Sequence, residues 1–323
     1  MNTETAKKHP FFIKKSTLKR FLIFFFAAAY AAFIVYALQL QYSLGTGDVG
    51  SYLYFFDQFG GTAPELSLRQ DGAFRLGIFL LRDVLNLEVL TILACLAFIM
   101  SLVIFFLFSA HIRSEKYLIY LFPIFTMVFL TPSVQALFSS NIRSGIAFTI
   151  LMVAFVHCKG LIKYGLLAVA SVIHLSMLPL ISLHYFYHIL NSNFMKTPYL
   201  GFLFLLLIGS FVIAFAGSAV HVEAEVSSSF AFNVMIFYIT FLTLFINKLA
   251  IKNIYAFMSI GLLFIYLSGV IIDVSYSRYI GNAILFYLFF LIKKGELGTI
   301  QIFSLGYAPF FILTLFYSVS NQL

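Results

Sequence analysis

The chain has 323 residues, of which 62% are hydrophobic and only 10% charged, with a mean hydropathy of +1.01. Those values lie far outside the soluble range and describe a polytopic membrane protein. The formal net charge of +8 comes mostly from lysines in loops on one side, so it reports topology and not nucleic-acid binding. Two cysteines, Cys95 and Cys158, both fall inside apolar spans, which excludes a cysteine-built metal site and makes a structural disulfide an unpromising reading.

In chain order, a basic N-terminal stretch precedes an apolar run at 21–40, which has the charge pattern of a signal peptide. That run is about 20 residues long and has no small-residue cleavage pattern at its end, so it reads as a retained first span. Further spans are predicted at 88–109, 117–131, 144–158, 163–174, 176–190, 199–217, 229–247, 253–272, 279–292 and 300–318. With the first at 20–40 they make eleven crossings of an all-α, polytopic transmembrane bundle, a single domain over 1–323. The long outer segment, 41–87, is expected to be about half amphipathic helix at the membrane surface. Leu76, Phe79, Leu80 and Asp83 fall on one stripe of it.

Several spans are short. Those at 117–131, 144–158 and 279–292 reach about 15 residues, against about 20 needed to cross the hydrocarbon. The apolar run 164–190 is interrupted by His174, Ser176 and Pro179, which predicts two half-spans meeting near the outer face. Short or broken helices of this kind leave room for an outward-facing cavity.

Charge divides by side. Lys7, Lys8, Lys14, Lys15, Lys19, Lys116, Lys159, Lys163, Lys196, Lys248, Lys252, Lys293 and Lys294, with Arg20 and Arg113, share one set of loops. By the positive-inside bias that face is cytoplasmic, which puts the N-terminus inside and the C-terminus outside. The remaining cations are all arginine: Arg69, Arg75, Arg82, Arg143 and Arg278. Topology asks for no cation there, and the planar guanidinium suits phosphate and carboxylate, so an anionic substrate outside the membrane is expected.

Arg143, in SSNIRSGIA (139–147), and Arg278, in DVSYSRYIG (273–281), each stand just before an inward-running apolar stretch. Helix N-termini favour anions, although each arginine also has a plain reading as a headgroup anchor or a partner of Asp273 or Asp48. His174 falls in ASVIHLSML (170–178), where it either bonds a core carbonyl or serves proton transfer and pyrophosphate binding at the break. Asp48 follows Gly45 and Gly47 and either caps the helix carrying Tyr52 and Phe55 or acts as an outer base or arginine partner. His184 and His188 read as structural; His221, Glu223 and Glu225 read as a solvated loop. No phosphate-binding glycine loop, dinucleotide turn, metal-ligand spacing or nucleophile elbow occurs, so no metal and no cofactor is expected.

GTGDVGSYLYFF (45–56), SSNIRSGIAFTILMVAFVHCKG (139–160), KYGLLAVASVIHLSMLPL (163–180) and YSRY (276–279) together resemble the EpsG family of Wzy-like exopolysaccharide and O-antigen polymerases. The likeness is densest over 42–60 and 139–185; Gly47 separates the family's Gly-Thr from its Asp. The resemblance implies a metal-independent glycosyltransferase of the bacterial inner membrane, acting on its periplasmic side. Donor and acceptor would be undecaprenyl-pyrophosphate-linked glycans, and a chain-length regulator of the Wzz type would be a partner. Arg143 and Arg278 would hold the pyrophosphate. His174 would assist them or relay a proton, Asp48 would be the other catalytic candidate, and Arg75, Tyr52 and Tyr276 would complete the substrate-binding set. Phe-rich grooves would take the polyprenyl tails.

Other classes compete. An O-antigen ligase shares the donor, but it is expected to carry a larger late outer loop than 218–228. A flippase or other transporter would spread charges through the membrane interior. A polysaccharide-modifying acyltransferase would put its His and Arg nearer the cytoplasm.

Overall fold

The computed structural model describes residues 15–44, 48–58, 72–112, 115–193, 199–218, 238, 253–271 and 278–320. All its regular elements are helical, and no strand occurs among the described residues. In order they are α1 (Lys15–Leu44), α2 (Asp48–Gln58), α3 (Gly72–Leu85), α4 (Val89–Ser109), α5 (Glu115–Leu130), α6 (Pro132–Ser139) and α7 (Ile142–His157). There follow α8 (Gly160–Ile173), a single 3-10 turn (Leu175–Met177), α9 (Leu178–Asn193), α10 (Tyr199–Ser218), α11 (Ile254–Ile271), α12 (Arg278–Lys294) and α13 (Leu297–Ser320).

Among the described residues, three helical stretches are long and apolar enough to cross a membrane: Arg20–Leu44 of α1, α4 and α11; a fourth is added if the bent pair α6–α7 forms one span. The chain is therefore a helical membrane protein. Of the eleven predicted spans, ten coincide with helices to within a few residues, while 229–247 lies outside the described residues, Tyr238 excepted. Length separates these ten. At 1.5 Å per residue, the 16 residues of α5 rise about 24 Å, short of a hydrocarbon core of about 30 Å.

The helices that meet the length test differ in what surrounds them. Only 28% of the most apolar stretch of α1 is buried and 44% of α4, against 78% of α11. α1 and α4 pack on each other with their apolar outer faces exposed, Phe24, Phe25 and Ile99 among them, whereas α11 is enclosed by α9, α10 and α12. α12 is buried continuously from Tyr279 to Ile292, then ends at Lys293, Lys294 and Gly295, whose φ of 66° is the left-handed C-terminal conformation glycine favours. The helix that begins at Arg278 is thus central. Aromatic rings fill the space beside it: Phe108 meets Phe289 at 5.1 Å and Phe129 at 5.7 Å, and Phe129 meets Tyr30 at 4.8 Å, all edge-on as ring quadrupoles prefer.

The segment between α1 and α4 supplies α2 and α3. On α3 the face turned to the bundle is Phe74 and Ile78, while Leu76 and Phe79 are half-buried and Leu80, Leu81 and Val84 are exposed. The apolar stripe expected to lie in the interface is therefore a second face, beside the one that packs. An element not expected from sequence is α6, eight residues long and turned 97° from α7 at Ser140–Asn141. Close backbone approach makes that turn possible. A Cβ on Gly145 of α7 would collide with the Leu137 carbonyl of α6, and one on Gly281 of α12 would stand 2.6 Å from the Ser133 carbonyl.

Replacing Gly145 or Gly281 by Ala should lower the yield of monodisperse protein, since overpacking of this kind costs about 1–3 kcal/mol. Gly165→Ala, where a Cβ meets nothing within 4 Å, should be neutral. Size-exclusion profiles of the three variants check this, and a normal Gly145→Ala would show that α6 can move away from α7.

Candidate functional site

Three interruptions in the helices come together at one end of the bundle. α7 starts at Ile142, so Arg143 occupies its first turn, where backbone N–H groups lack intrahelical acceptors and an anion is favoured. Arg143 is half-buried, its Nε donates to Tyr52 Oη at 2.9 Å, and the guanidinium lies 5.1 Å from the Tyr52 ring centre. Tyr52 is itself buried and leans on Phe74 of α3 at 5.5 Å. The hydroxyl and the ring both orient the guanidinium, so α2 grips the start of α7. From α1, Gln41 Nε2 donates to Ser139 Oγ at 3.3 Å, which fixes the end of α6 beside the same bend.

The second interruption is the one expected at His174. α8 stops at Ile173, His174 is extended (φ −154°, ψ 115°), and the 3-10 turn leads into α9. The freed backbone groups are met locally: His174 N–H donates to the Ala170 carbonyl at 3.0 Å, and Met177 N–H to the His174 carbonyl at 3.0 Å. The His174 side chain is buried, 6% exposed, so it is no solvated surface group. The turn packs against α7, which carries Arg143.

The third is the start of α12 at Arg278. The next residue, Tyr279, is fully buried, and its hydroxyl donates to the Ser176 carbonyl inside the 3-10 turn at 3.0 Å. That bond ties the helix starting at Arg278 to the break holding His174. Asn282 lies one turn beyond Tyr279 on the same face, and Phe286 further along it packs edge-on against Phe148 of α7 at 5.6 Å. Sequence reasoning missed Tyr279, Ser176 and Asn282. Ser176 Oγ and Asn282 Oδ1 are buried with no hydrogen-bond partner among the described residues, a situation that costs about 1–3 kcal/mol per group unless a ligand or water meets it.

The structure thus groups Tyr52, Arg143, His174 and the first residue of α12, with Arg75 half-buried on α3, which packs against α4 and α8. Asp48 is the first residue of α2. The side chains of Asp48 and Arg278, and all of Tyr276, His221, Glu223 and Glu225, lie outside the described residues. No group of three or more His, Cys, Asp or Glu that could hold a metal stands together among the described residues. An apolar groove of about 510 Å³ runs between the C-terminal half of α1 and the start of α4, lined by Val35, Gln39, Leu90, Thr91, Ala94, Cys95, Phe98 and Ile99. In comparisons with known proteins, no family model, no curated protein and no solved structure matches this chain.

Tyr52→Phe keeps the ring under Arg143 but removes the hydroxyl, so it should destabilise the purified protein by about 1 kcal/mol, a value discounted for the half-exposed partner. Tyr42→Phe, at an exposed position of α1, should change nothing. Thermal melting in detergent checks both, and an unshifted Tyr52→Phe would mean that the bond does not hold α2 to α7.

Proposed function

We propose that this protein is a Wzy-like polysaccharide polymerase. It would transfer a growing glycan from undecaprenyl pyrophosphate to the terminal sugar of an incoming lipid-linked repeat unit, on the periplasmic side of the bacterial inner membrane. The observation that carries the reading is the meeting of two arginine-bearing helix N-termini with a buried histidine at a helix break. Helix N-termini and arginine forks suit a pyrophosphate, whose charge develops as it leaves. In the reaction an acceptor hydroxyl oxygen bonds to the anomeric carbon, and the bond from that carbon to the pyrophosphate oxygen breaks. The electron pair departs with undecaprenyl pyrophosphate toward Arg143 and Arg278, and the hydroxyl proton passes to His174 or Asp48. Ser176 Oγ and Asn282 Oδ1 offer partners for sugar hydroxyls, and the groove between α1 and α4 has the apolar lining a prenyl chain requires.

The reading includes eleven crossings, with the helices too short to span the hydrocarbon lining an outward-facing cavity. The N-terminus is then cytoplasmic and the C-terminus periplasmic. In a background with Cys95 and Cys158 changed to Ser, a cysteine at exposed Glu88 should react with a membrane-impermeant maleimide in spheroplasts. One at exposed Lys159 should react only after permeabilisation. The reverse pattern would put Arg143 on the cytoplasmic side and end the proposal.

Arg143→Lys and Arg278→Lys keep a charge but lose the bidentate fork. Each should shorten the polymer or reduce its amount in a strain lacking the native protein, at unchanged membrane level, and leave single-repeat products. Loss of a donor contact of this kind typically lowers turnover about 100- to 1,000-fold. Gel profiles of surface polysaccharide beside a membrane immunoblot read this out. Normal ladders from both variants would reduce the two arginines to headgroup anchors. Polymer built normally but never joined to lipid A would point to the ligase class instead.

A further inference from the structure

The opposite end of the bundle holds a second cluster of basic groups, in which the outer site has no part. α7 ends at His157, and α8 starts at Gly160 in a left-handed conformation (φ 57°), so Lys163 stands in the first turn of α8. Lys163 Nζ is 2.8 Å from His184 Nε2 on α9 and 5.4 Å from the centre of the Phe155 ring on α7. His184 stacks on that same ring, centres 4.2 Å apart and planes within 15°, and His188, one turn on, lies edge-on to His184 at 4.7 Å. The ammonium has only protons to give, so it donates and His184 Nε2 accepts. A neutral imidazole accepting at Nε2 carries its proton on Nδ1.

That proton has no acceptor. His184 is 3% exposed, and its Nδ1 is buried with no hydrogen-bond partner among the described residues. Nor does Lys163 pair with a carboxylate among them: the ion pairs there are Arg82–Asp83 and Lys294–Glu296. The cluster therefore combines a positive charge that no carboxylate balances among the described residues with a buried N–H donor that has no acceptor there, and the second is unfavourable. An oxyanion corrects both at once.

The surroundings identify the carrier of that oxyanion. Leu161 and Ile162, directly before Lys163, are 87% and 69% exposed, and Ile189 beside His188 is 54% exposed. Tyr164 and Tyr185 stack across α8 and α9, centres 6.4 Å apart and planes within 7°. Exposed aliphatic chains next to a tyrosine pair and a cation are what the headgroup level of a membrane selects. A free anion would need the charge but not the apolar rim. We propose that Lys163, His184 and His188 form a site for the phosphate of an anionic phospholipid, whose acyl chains lie along Leu161, Ile162 and Ile189.

The test uses the full chain purified in detergent, with bound lipid counted by native mass spectrometry. Probes are dioleoyl phosphatidylglycerol, dioleoyl phosphatidylcholine and inorganic phosphate. Wild-type protein should retain phosphatidylglycerol in preference to phosphatidylcholine. Lys163→Met should cut that retention about five-fold, the factor for one cation at a membrane surface, with phosphatidylcholine unchanged. His184→Gln can still accept from Lys163 but lacks the Nδ1 proton, and should cut it too. His188→Ala, at an exposed position, should weaken retention in the same direction and serves if the other two do not fold. Retention unchanged in every variant that folds overturns the site. Displacement of the bound lipid by equimolar inorganic phosphate overturns its assignment to a lipid.

Discussion

In hydrocarbon every backbone N–H and C=O must find its partner within the protein, so a helix can stop inside a bundle only where protein covers the stop. This chain stops helices at Thr131, at Ser140–Asn141 and at His174, and each stop is met in a different way. Thr131 is fully buried: its hydroxyl bonds the Met127 carbonyl at 2.8 Å and Tyr307 of α13 at 2.6 Å, and its carbonyl accepts from Val134 and Gln135. At the next stop, Ser140 and Asn141 N–H both turn back onto the Ala136 carbonyl, and Gln41 braces Ser139 from outside. At His174 the 3-10 turn closes its own bonds, and Tyr279 satisfies the Ser176 carbonyl. Each stop closes most of its backbone bonds locally and adds one neighbour from distant sequence: Tyr307, Gln41 or Tyr279.

The same constraint explains the central position of α12. Its start must reach the break at Ser176, while Gly281 lets it approach the α6 backbone at Ser133. A helix so placed touches both interruptions and is buried along almost its whole length. The backbone at the start of α12 is thereby held by packing against the break and against α6. α2 adds a further clamp on α7 through the Tyr52 hydroxyl.

The helices were largely legible in the sequence, because long hydrophobic runs follow directly from the membrane. The break at His174 was legible too, since a histidine and Pro179 interrupting one apolar run leave few alternatives. α6 was not, because PSVQALFS (132–139) has the composition of either a loop or a half-helix and only its neighbours decide. The packing face of α3 was not, because Leu76, Phe79 and Leu80 are as apolar as Phe74 and Ile78. Tyr52 was expected to touch substrate; its bond to Arg143 spans 91 residues and no local pattern announces it. His184 and His188 were read as structural; the contact of His184 with Lys163 joins two helices, and no local pattern announces it.

Polar atoms without partners bear on what such a bundle is for. A core optimised for stability alone would fill these positions with apolar groups, since a half-satisfied polar cluster is worse than none. Here Ser176 Oγ and Asn282 Oδ1 stay unmatched around the start of α12, and His184 Nδ1 at the opposite end of the bundle. Ser176 belongs to the turn whose carbonyl Tyr279 of α12 bonds, and His184 accepts from Lys163. Other buried polar atoms without partners among the described residues, Tyr30 Oη, Ser101 Oγ, Ser210 Oγ and Tyr266 Oη among them, are spread through the interior, so it is position at a helix break or against a cation, and not the lack of a partner alone, that singles out Ser176 and His184.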